Sequence, residues 1–366
     1  MTGGQEGWRA WADAQAAALH AAHRWRRPRD VAEGGPVSFA SNDYLGLTRH
    51  PAVIAAAHDA LDRYGSGSGS ARLIVGSRPV HSDCEHALAE WKGAERAALF
   101  PTGFATNLGV LTTFGGEGTL VCSDALNHAS IIDGCRLARA EVAVYAHGDL
   151  DELAARLRDR GDRRAIVVTD TVFSMDGDAA DTDALLALCA REGALCVLDE
   201  AHAVLGPHPA IPGDADVLRV GTLSKTLGAL GGFVAGPRRY VELIENRARP
   251  YIFTTAPSPA DTAAALAALR VLRSDEGAAL VARLRALVDR LRPGHPSPIV
   301  PYVVGSEPDT LAAADALRAR GILVPAIRPP SVAPGTSRLR VTLSAAHTDA
   351  QVTCLQRALA EVLGTP

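Results

Sequence analysis

The sequence predicts an α/β fold: a mainly parallel sheet sandwiched by helices, with a smaller C-terminal α+β domain. Three observations carry this. Between about residues 80 and 235, short apolar runs alternate with helical patterns, as in repeated β-α units. The runs, such as Ala165-Ile166-Val167-Val168 and Cys196-Val197-Leu198, are apolar at consecutive positions. That is the pattern of strands covered on both faces. Beyond residue 260 the alternation gives way to a long Ala/Leu helix and then a short mixed series.

Taken in order, residues 8–27 read as an Ala-rich helix that Pro28 stops. A short strand at 37–40 leads into the turn Ser41-Asn42-Asp43-Tyr44-Leu45-Gly46-Leu47, and Pro51 opens a helix to residue 64. The run Gly65-Ser66-Gly67-Ser68-Gly69-Ser70 has no strong strand before it and no Lys-Ser/Thr after it. It therefore fails the P-loop pattern and reads as well as a flexible linker. Helices are expected at 81–92, after an entry over residues 101–107, after 130, and at 149–160 and 183–192. Strands are expected at 97–100, 119–123, 141–145, 165–170, 195–199, 217–222 and 232–235. Residues 260–292 read as one connecting helix with a break near Ser274, and 293–298 as a linker. Strands at 299–304, 322–326 and 338–343 and helices at 311–320 and 349–363 complete the chain. The expected division is an N-terminal helical segment (1–36), a large domain (37–259), the connecting helix (260–292) and a C-terminal domain (293–366).

The bulk composition narrows the function. The chain has 366 residues, enough for one large domain and a smaller one. Lys plus Arg is 37 against 41 for Asp plus Glu, a balance that gives no reason to expect nucleic acid or an anionic membrane as partner. Charged residues interrupt every apolar stretch well before the ~20 residues a membrane helix needs. The N-terminus shows no secretory pattern. Six scattered cysteines without a C-x-x-C read as free buried thiols in a reducing cytoplasm, not as a zinc site.

Lysine occurs only at Lys92 and Lys225. Arginine cannot form a Schiff base, whereas lysine can once its pKa falls, so Lys225 in Thr222-Leu223-Ser224-Lys225 reads either as the anchor of a carbonyl cofactor or, if codon bias explains the excess of arginine, as a surface residue. Asp199 ends an apolar strand, and a carboxylate there needs a cation. The protonated pyridine nitrogen of pyridoxal phosphate (PLP) is one. His202 stands three residues on, within reach of the cofactor's phenolic oxygen. The Thr102-Gly103-Phe104 turn offers backbone N–H groups at a helix N-terminus for the phosphate. His128 is available to stack on the ring. A metal site built from Asp199, His202 and His208 is the competing reading, but its spacing fits no standard ligand pattern.

Five motifs resemble those of the α-oxoamine synthase family within the fold-type I PLP enzymes. They are Ser41-Asn42-Asp43-Tyr44-Leu45-Gly46-Leu47, Asn127-His128-Ala129-Ser130, Phe173-Ser174-Met175-Asp176-Gly177-Asp178, Asp199-Glu200-Ala201-His202 and Thr222-x-x-Lys225; Phe253-Thr254-Thr255 is a further hallmark. The resemblance covers about residues 41–347. It implies PLP bound by Lys225, Asp199, His128, His202 and Ser174, with Gly103, Phe104, Thr222 and Thr254 at the phosphate. The segment around Thr254 reaches a partner subunit's phosphate in that family, which implies a homodimer with its active site at the interface. Asn42 and Arg340 would hold the substrate carboxylate, Ser331 would stand near the acyl group, and Arg24 is placed with the substrate. No metal is expected.

Within the family, residues 326–340 most resemble members that condense L-alanine with a pimeloyl thioester, carried on acyl carrier protein or coenzyme A, in biotin synthesis. Members using glycine or serine with another acyl group, and aminotransferases, are the alternatives. Two departures stand out: Asp170-Thr171 precedes Phe173 where the family has Glu followed by Gly or Ser, and Ala203-Val204-Leu205 replaces the usual glycines.

Overall fold

The computed structural model describes residues 7–28, 30, 34–213 and 215–364. The chain forms two compact units. The larger holds Asn42–Pro298 with Ser344–Ala346; the smaller holds the described residues up to Ser41, Ile299–Leu343 and those from His347 onward.

The chain begins in the smaller unit with α1 (Trp8–Ala21), shorter than expected. His23 adopts a left-handed conformation (φ 53) and ends the helix before the arginines are reached. Strand β1 (Val37–Ser38) follows.

In the larger unit come α2 (Pro51–Tyr64), α3 (Pro79–Lys92), β2 (Arg96–Phe100), α4 (Gly103–Phe114), β3 (Thr119–Asp124), α5 (Ala129–Leu137) and β4 (Glu141–Tyr145). Then follow α6 (Leu150–Arg158), β5 (Arg164–Asp170), α7 (Thr182–Glu192), β6 (Leu195–Asp199), β7 (Val217–Thr222) and β8 (Gly232–Gly236). Helices α8 (Arg238–Arg247), α9 (Arg249–Ile252), α10 (Pro259–Leu272) and α11 (Asp275–Leu291) close it.

Strands β2 to β8 form one sheet in the order β2-β8-β7-β6-β5-β3-β4. Only β8 runs against its neighbours; the pairs from β7 to β4 are parallel. Successive residues of the central strands enter opposite layers. Val121, Val168 and Val197 pack with Val110, Ile131 and Ile244 on one face. Cys122, Val167 and Leu198 pack with Leu153, Leu157 and Leu185 on the other. This explains why the strands read as continuous apolar runs: each residue is buried, at roughly 1.5–3 kcal/mol for a large side chain.

Back in the smaller unit are β9 (Ile299–Gly305), α12 (Glu307–Ala319), β10 (Ile322–Leu323), β11 (Ala326–Ile327), β12 (Ser337–Thr342) and α13 (Asp349–Leu363). Strands β11, β12 and β9 make an antiparallel sheet, while β10 pairs in parallel with β1. The strand expected at 322–326 is two pieces, because Pro325 has no N–H to continue a ladder. Its carbonyl instead accepts from the Arg340 N–H at 3.1 Å.

Two expected boundaries change. Residues 260–292 are not a spacer: they form α10 and α11, divided at Ser274, whose side chain caps α11. Helix α10 packs on α2 and α3 and is buried on nearly every side, so it belongs to the larger unit. The N-terminal segment, through the β1–β10 pairing, groups with the C-terminal residues. Among the described residues no helix is long and apolar enough to cross a membrane.

Candidate active site

Strands β5, β6 and β7 end at Asp170, Asp199 and Thr222, side by side at the carboxyl edge of the parallel sheet. Ligands gather at such edges. A cleft of about 240 Å³ opens there, lined by Gly103, Phe104, His128, Asp199, His202 and Lys225 among others. The structure thus brings together, within one unit, most of the cofactor residues expected from the sequence.

Asp199 is 5% exposed. Its Oδ2 accepts from Asn107 Nδ2 at 2.7 Å and its Oδ1 from the Ala201 N–H at 2.9 Å. Asn107 Nδ2 also donates to Ser130 Oγ at 2.9 Å. Both donors to Asp199 are neutral, so the buried carboxylate is oriented while its charge stays available to a cation in the cleft. A protonated pyridine nitrogen fits that demand. His208, in contrast, lines a different cavity, which removes the Asp199–His202–His208 metal reading. Among the described residues no group of three or more His, Cys, Asp or Glu is arranged for a metal ion.

Lys225 follows the end of β7. Its Nζ lies 2.9 Å from His202 Nε2, and His202 Nδ1 meets the buried Tyr44 hydroxyl at 2.5 Å. Tyr44 Oη in turn donates to Asn42 Oδ1 at 3.3 Å. The amine is therefore joined through imidazole and phenol to a residue expected to touch substrate.

The anion end of the cleft is built from backbone. Thr102 caps α4 by accepting from the Ala105 N–H at 3.1 Å, which leaves the N–H groups of Gly103 and Phe104 at the helix start without intrahelical acceptors. Their partial positive charge suits a phosphate. The cradle depends on missing side chains. A Cβ at Gly232 would stand 2.5 Å from the Gly103 nitrogen, and one at Gly103 would meet Thr222 Cβ at 3.2 Å. Thr222 Oγ1 and Ser224 Oγ, 2.8 Å apart, add hydroxyls to the cleft lining.

His128 caps α5. Its Nδ1 accepts from the Ser130 N–H at 3.2 Å and lies 2.7 Å from Ser130 Oγ, which fixes the ring. The backbone N–H of His128 donates to Asp170 Oδ2 at 2.7 Å. Burial lowers the His128 pKa, with Asp199 opposing and Lys225 reinforcing, so the imidazole is neutral and suited to stacking on an aromatic face. Asp170 is the register partner of Asp199, and burial, then the Asp199 charge, raises its pKa.

One further link reaches the loops around the cleft. His147 Nδ1 lies 3.0 Å from Asp124 Oδ1, at the start of the turn that carries His128. Its Nε2 lies 2.8 Å from Asp178 Oδ2, in the loop that carries Ser174. Burial works to lower the His147 pKa, but the two carboxylates outweigh it and raise it. The stabilisation is complete below the ordinary histidine value of 6.5 and fades as pH rises through the raised folded value. His147→Gln is expected to lower the melting temperature more at pH 6 than at pH 9. An equal loss at both would show that the imidazolium charge contributes nothing.

Several expected site residues are not among those lining the cleft. Ser174 and Thr254 do not line the cleft. Arg24, Ser331 and Arg340 belong to the smaller unit. There Arg24 pairs with Glu307 at 3.3 Å, Ser331 is exposed after Pro330, and Arg340 is buried on β12 with Nη1 2.9 Å from Thr342 Oγ1. Sequence reasoning missed Asn107, Tyr44 and Asp170 as parts of the site. Tyr44 lies within a recognised motif; Asn107 sits inside an apolar helix and gives no periodic signal.

The chain matches the family described as aminotransferase class I and II over residues 35–359. It is 52% identical to the 8-amino-7-oxononanoate synthase of Anaeromyxobacter dehalogenans, over 89% of this chain and 86% of that one. It is 46% identical to the enzyme of the same name from Burkholderia mallei, over 93% and 94%. Among solved structures it resembles a serine palmitoyltransferase from S. paucimobilis holding a PLP–myriocin adduct, with TM-score 0.88 and 30% identity over 97% and 98% of the chains. An 8-amino-7-oxononanoate synthase from Francisella tularensis matches with TM-score 0.75 and 26% identity over 91% and 99%.

Proposed function

We infer the reaction from a premise that the comparisons establish: the chain belongs to the aminotransferase class I and II family, and its cofactor is PLP. The reaction is that of an 8-amino-7-oxononanoate synthase, the decarboxylative condensation of L-alanine with a pimeloyl thioester to 8-amino-7-oxononanoate, CO2 and the free thiol. The observation that carries it is identity of 46–52% over most of both chains to relatives of that name, against 30% to the serine palmitoyltransferase.

PLP, when bound, supplies an electron sink for negative charge at the alanine α-carbon. The residues do the rest. Lys225 Nζ would anchor the cofactor and would be the base that takes the α-proton. His202 and Tyr44 hold that nitrogen in place beforehand. Asp199 keeps the ring nitrogen protonated and His128 covers one ring face. Gly103, Phe104 and Thr222 take the phosphate. We assign Arg340 and Asn42 to the substrate carboxylate, where a guanidinium offers two parallel hydrogen bonds. Ser174 is assigned to the phenolic oxygen, Ser331 to the acyl group and Arg24 to the distal substrate.

Thr254 acts from a second copy in this reading, which makes the enzyme a homodimer. Exposed apolar residues support it: Ile74 (73%), Val75 (70%) and Phe253 (70%) lie on segments joined by the Ala256 N–H to Ser70 carbonyl bond. A purely monomeric species in sedimentation at micromolar concentration would refute this. The cytoplasm is the compartment that suits six free cysteines.

The deciding experiment offers alanine, glycine and serine against pimeloyl, acetyl, succinyl and palmitoyl thioesters of coenzyme A, and pimeloyl-acyl carrier protein. Mass spectrometry is expected to show 8-amino-7-oxononanoate from alanine and a pimeloyl thioester. A preference for another pair would overturn the substrate assignment. Conversion of the cofactor to pyridoxamine phosphate by alanine alone would indicate transamination.

A further inference from the structure

Lysine occurs only twice in this chain, and Lys225 accounts for one. Lys92 is buried on the other side of the cofactor wall. A second cavity, of about 190 Å³, shares Ala201, Gly221 and Thr222 with the cofactor cleft, so a single layer of chain divides the two. Lys92 lines the rear cavity, as do Ala203 and Val204, where the sequence departs from the resembling family's glycines.

Lys92 is the last residue of α3. Its Nζ lies 2.6 Å from Glu200 Oε2 and 3.6 Å above the Trp91 ring centroid. Glu200 Oε1 accepts from Arg219 Nε at 2.6 Å, and Arg219 Nη1 donates to the Lys92 carbonyl at 3.0 Å. The side chains of Lys92 and Glu200 are 5% and 1% exposed. Burial acts to raise the Glu200 pKa, but Lys92 and Arg219 outweigh it and hold the carboxylate ionised.

This network lies one residue from the cofactor's counter-charge. Glu200 follows Asp199, and its N–H donates to the Val220 carbonyl at 2.8 Å. The next amide, that of Ala201, donates to Asp199 Oδ1. The Glu200 side chain is thus held directly beside the backbone that presents the Asp199 carboxylate to the cleft. On β7, Arg219 ties the same network to the strand that ends at Thr222. We propose that Lys92 is a positioning residue for the cofactor site, fixing Glu200 from behind so that Asp199 and the Ala201 amide hold their cleft-facing geometry. A compact ammonium fits between the Trp91 face and the carboxylate; the longer planar guanidinium does not reproduce both contacts. That accounts for a lysine here in a chain that otherwise uses arginine.

The test compares full-length wild type with Lys92→Met, Lys92→Arg, Glu200→Gln and the double variant Lys92→Met/Glu200→Met. Each is titrated with PLP, reading the visible absorbance of the lysine-bound cofactor, and its melting temperature is measured without PLP. Partners that orient metal-binding side chains change metal affinity by about 10–100-fold; on the low end of that scale, a PLP affinity about tenfold weaker is expected in every variant. Lys92→Arg is not expected to rescue, and the double variant stays weak whatever its melting temperature, since Glu200→Met also leaves the largely buried Arg219 guanidinium without its carboxylate. Folded variants that bind PLP as tightly as wild type would overturn the proposal, whatever their melting temperatures. Should Lys92→Met not fold, Lys92→Arg and Glu200→Gln, closer in volume, decide by the same comparison. The proposal rests on the PLP assignment and not on the choice of substrates. A wild type without the visible band would defeat that assignment, whereas a normal wild-type band with unchanged variants defeats only the role of Lys92.

Discussion

Lys225→Ala is expected to abolish turnover and to remove the visible band of the lysine-bound cofactor. Two functions disappear together. Among the described residues lining the cleft, this amine alone is able to form a Schiff base with the cofactor aldehyde. It is also the proposed base for the alanine α-proton, a role worth about 10²–10⁴-fold in rate. Losing both places the expected fall at the upper end of about 10⁴-fold or beyond. Lys225→Arg is expected to be equally inactive, because a guanidinium keeps the charge but neither bonds the aldehyde nor accepts a proton at neutral pH. The measurement is single-turnover proton exchange at the alanine α-carbon alongside the absorbance spectrum. Exchange at the wild-type rate in Lys225→Ala would assign the base to another group, and the nearby His202 imidazole would be the first to examine.

The second large effect is expected at Asp199. Asp199→Asn preserves shape but removes the charge proposed to keep the ring nitrogen protonated. It also creates a local conflict. The carboxylate accepts from Asn107 Nδ2 on one oxygen and from the Ala201 N–H on the other. An asparagine presents an NH2 to one of these donors in either orientation, so one hydrogen bond becomes a donor–donor contact. Loss of a preorganised electrostatic group costs about 10²–10³-fold in kcat, and the conflict should weaken PLP binding as well. Asp199→Glu is expected to recover part of the rate by restoring charge. If Asp199→Asn kept wild-type kcat at saturating PLP, the carboxylate would serve structure alone.

The chemistry was legible in the sequence because the parallel sheet collects its strand ends. Once the β-α alternation is recognised, Asp199, Thr222 and Lys225 must approach one another. What escaped depends on contacts that no local pattern encodes. Asn107 projects toward the sheet edge from an apolar helix, and nothing in residues 103–114 distinguishes it from a tolerated polar residue. The reversed direction of β8 follows from a tight return after Lys225, not from the composition of Gly232-Phe233-Val234-Ala235. Helix α10 read as a spacer because its apolar residues cover every face, which also marks a helix enclosed by others. The glycine-serine run looked flexible, yet Ser68 Oγ donates to the Pro257 carbonyl at 2.7 Å and Ser70 accepts from Ala256. A partner nearly two hundred positions away in sequence orders it.

The chain's two lysines have opposite accessibilities, and this decides how it will react with chemical reagents. Lys92 is enclosed by Trp91, Glu200 and Arg219, while Lys225 opens on the cleft. An amine-selective label applied to the folded protein has one side-chain target, and that target is the active site. Its incorporation counts functional sites directly, with the α-amino group as the sole background. Bound PLP should block it one for one.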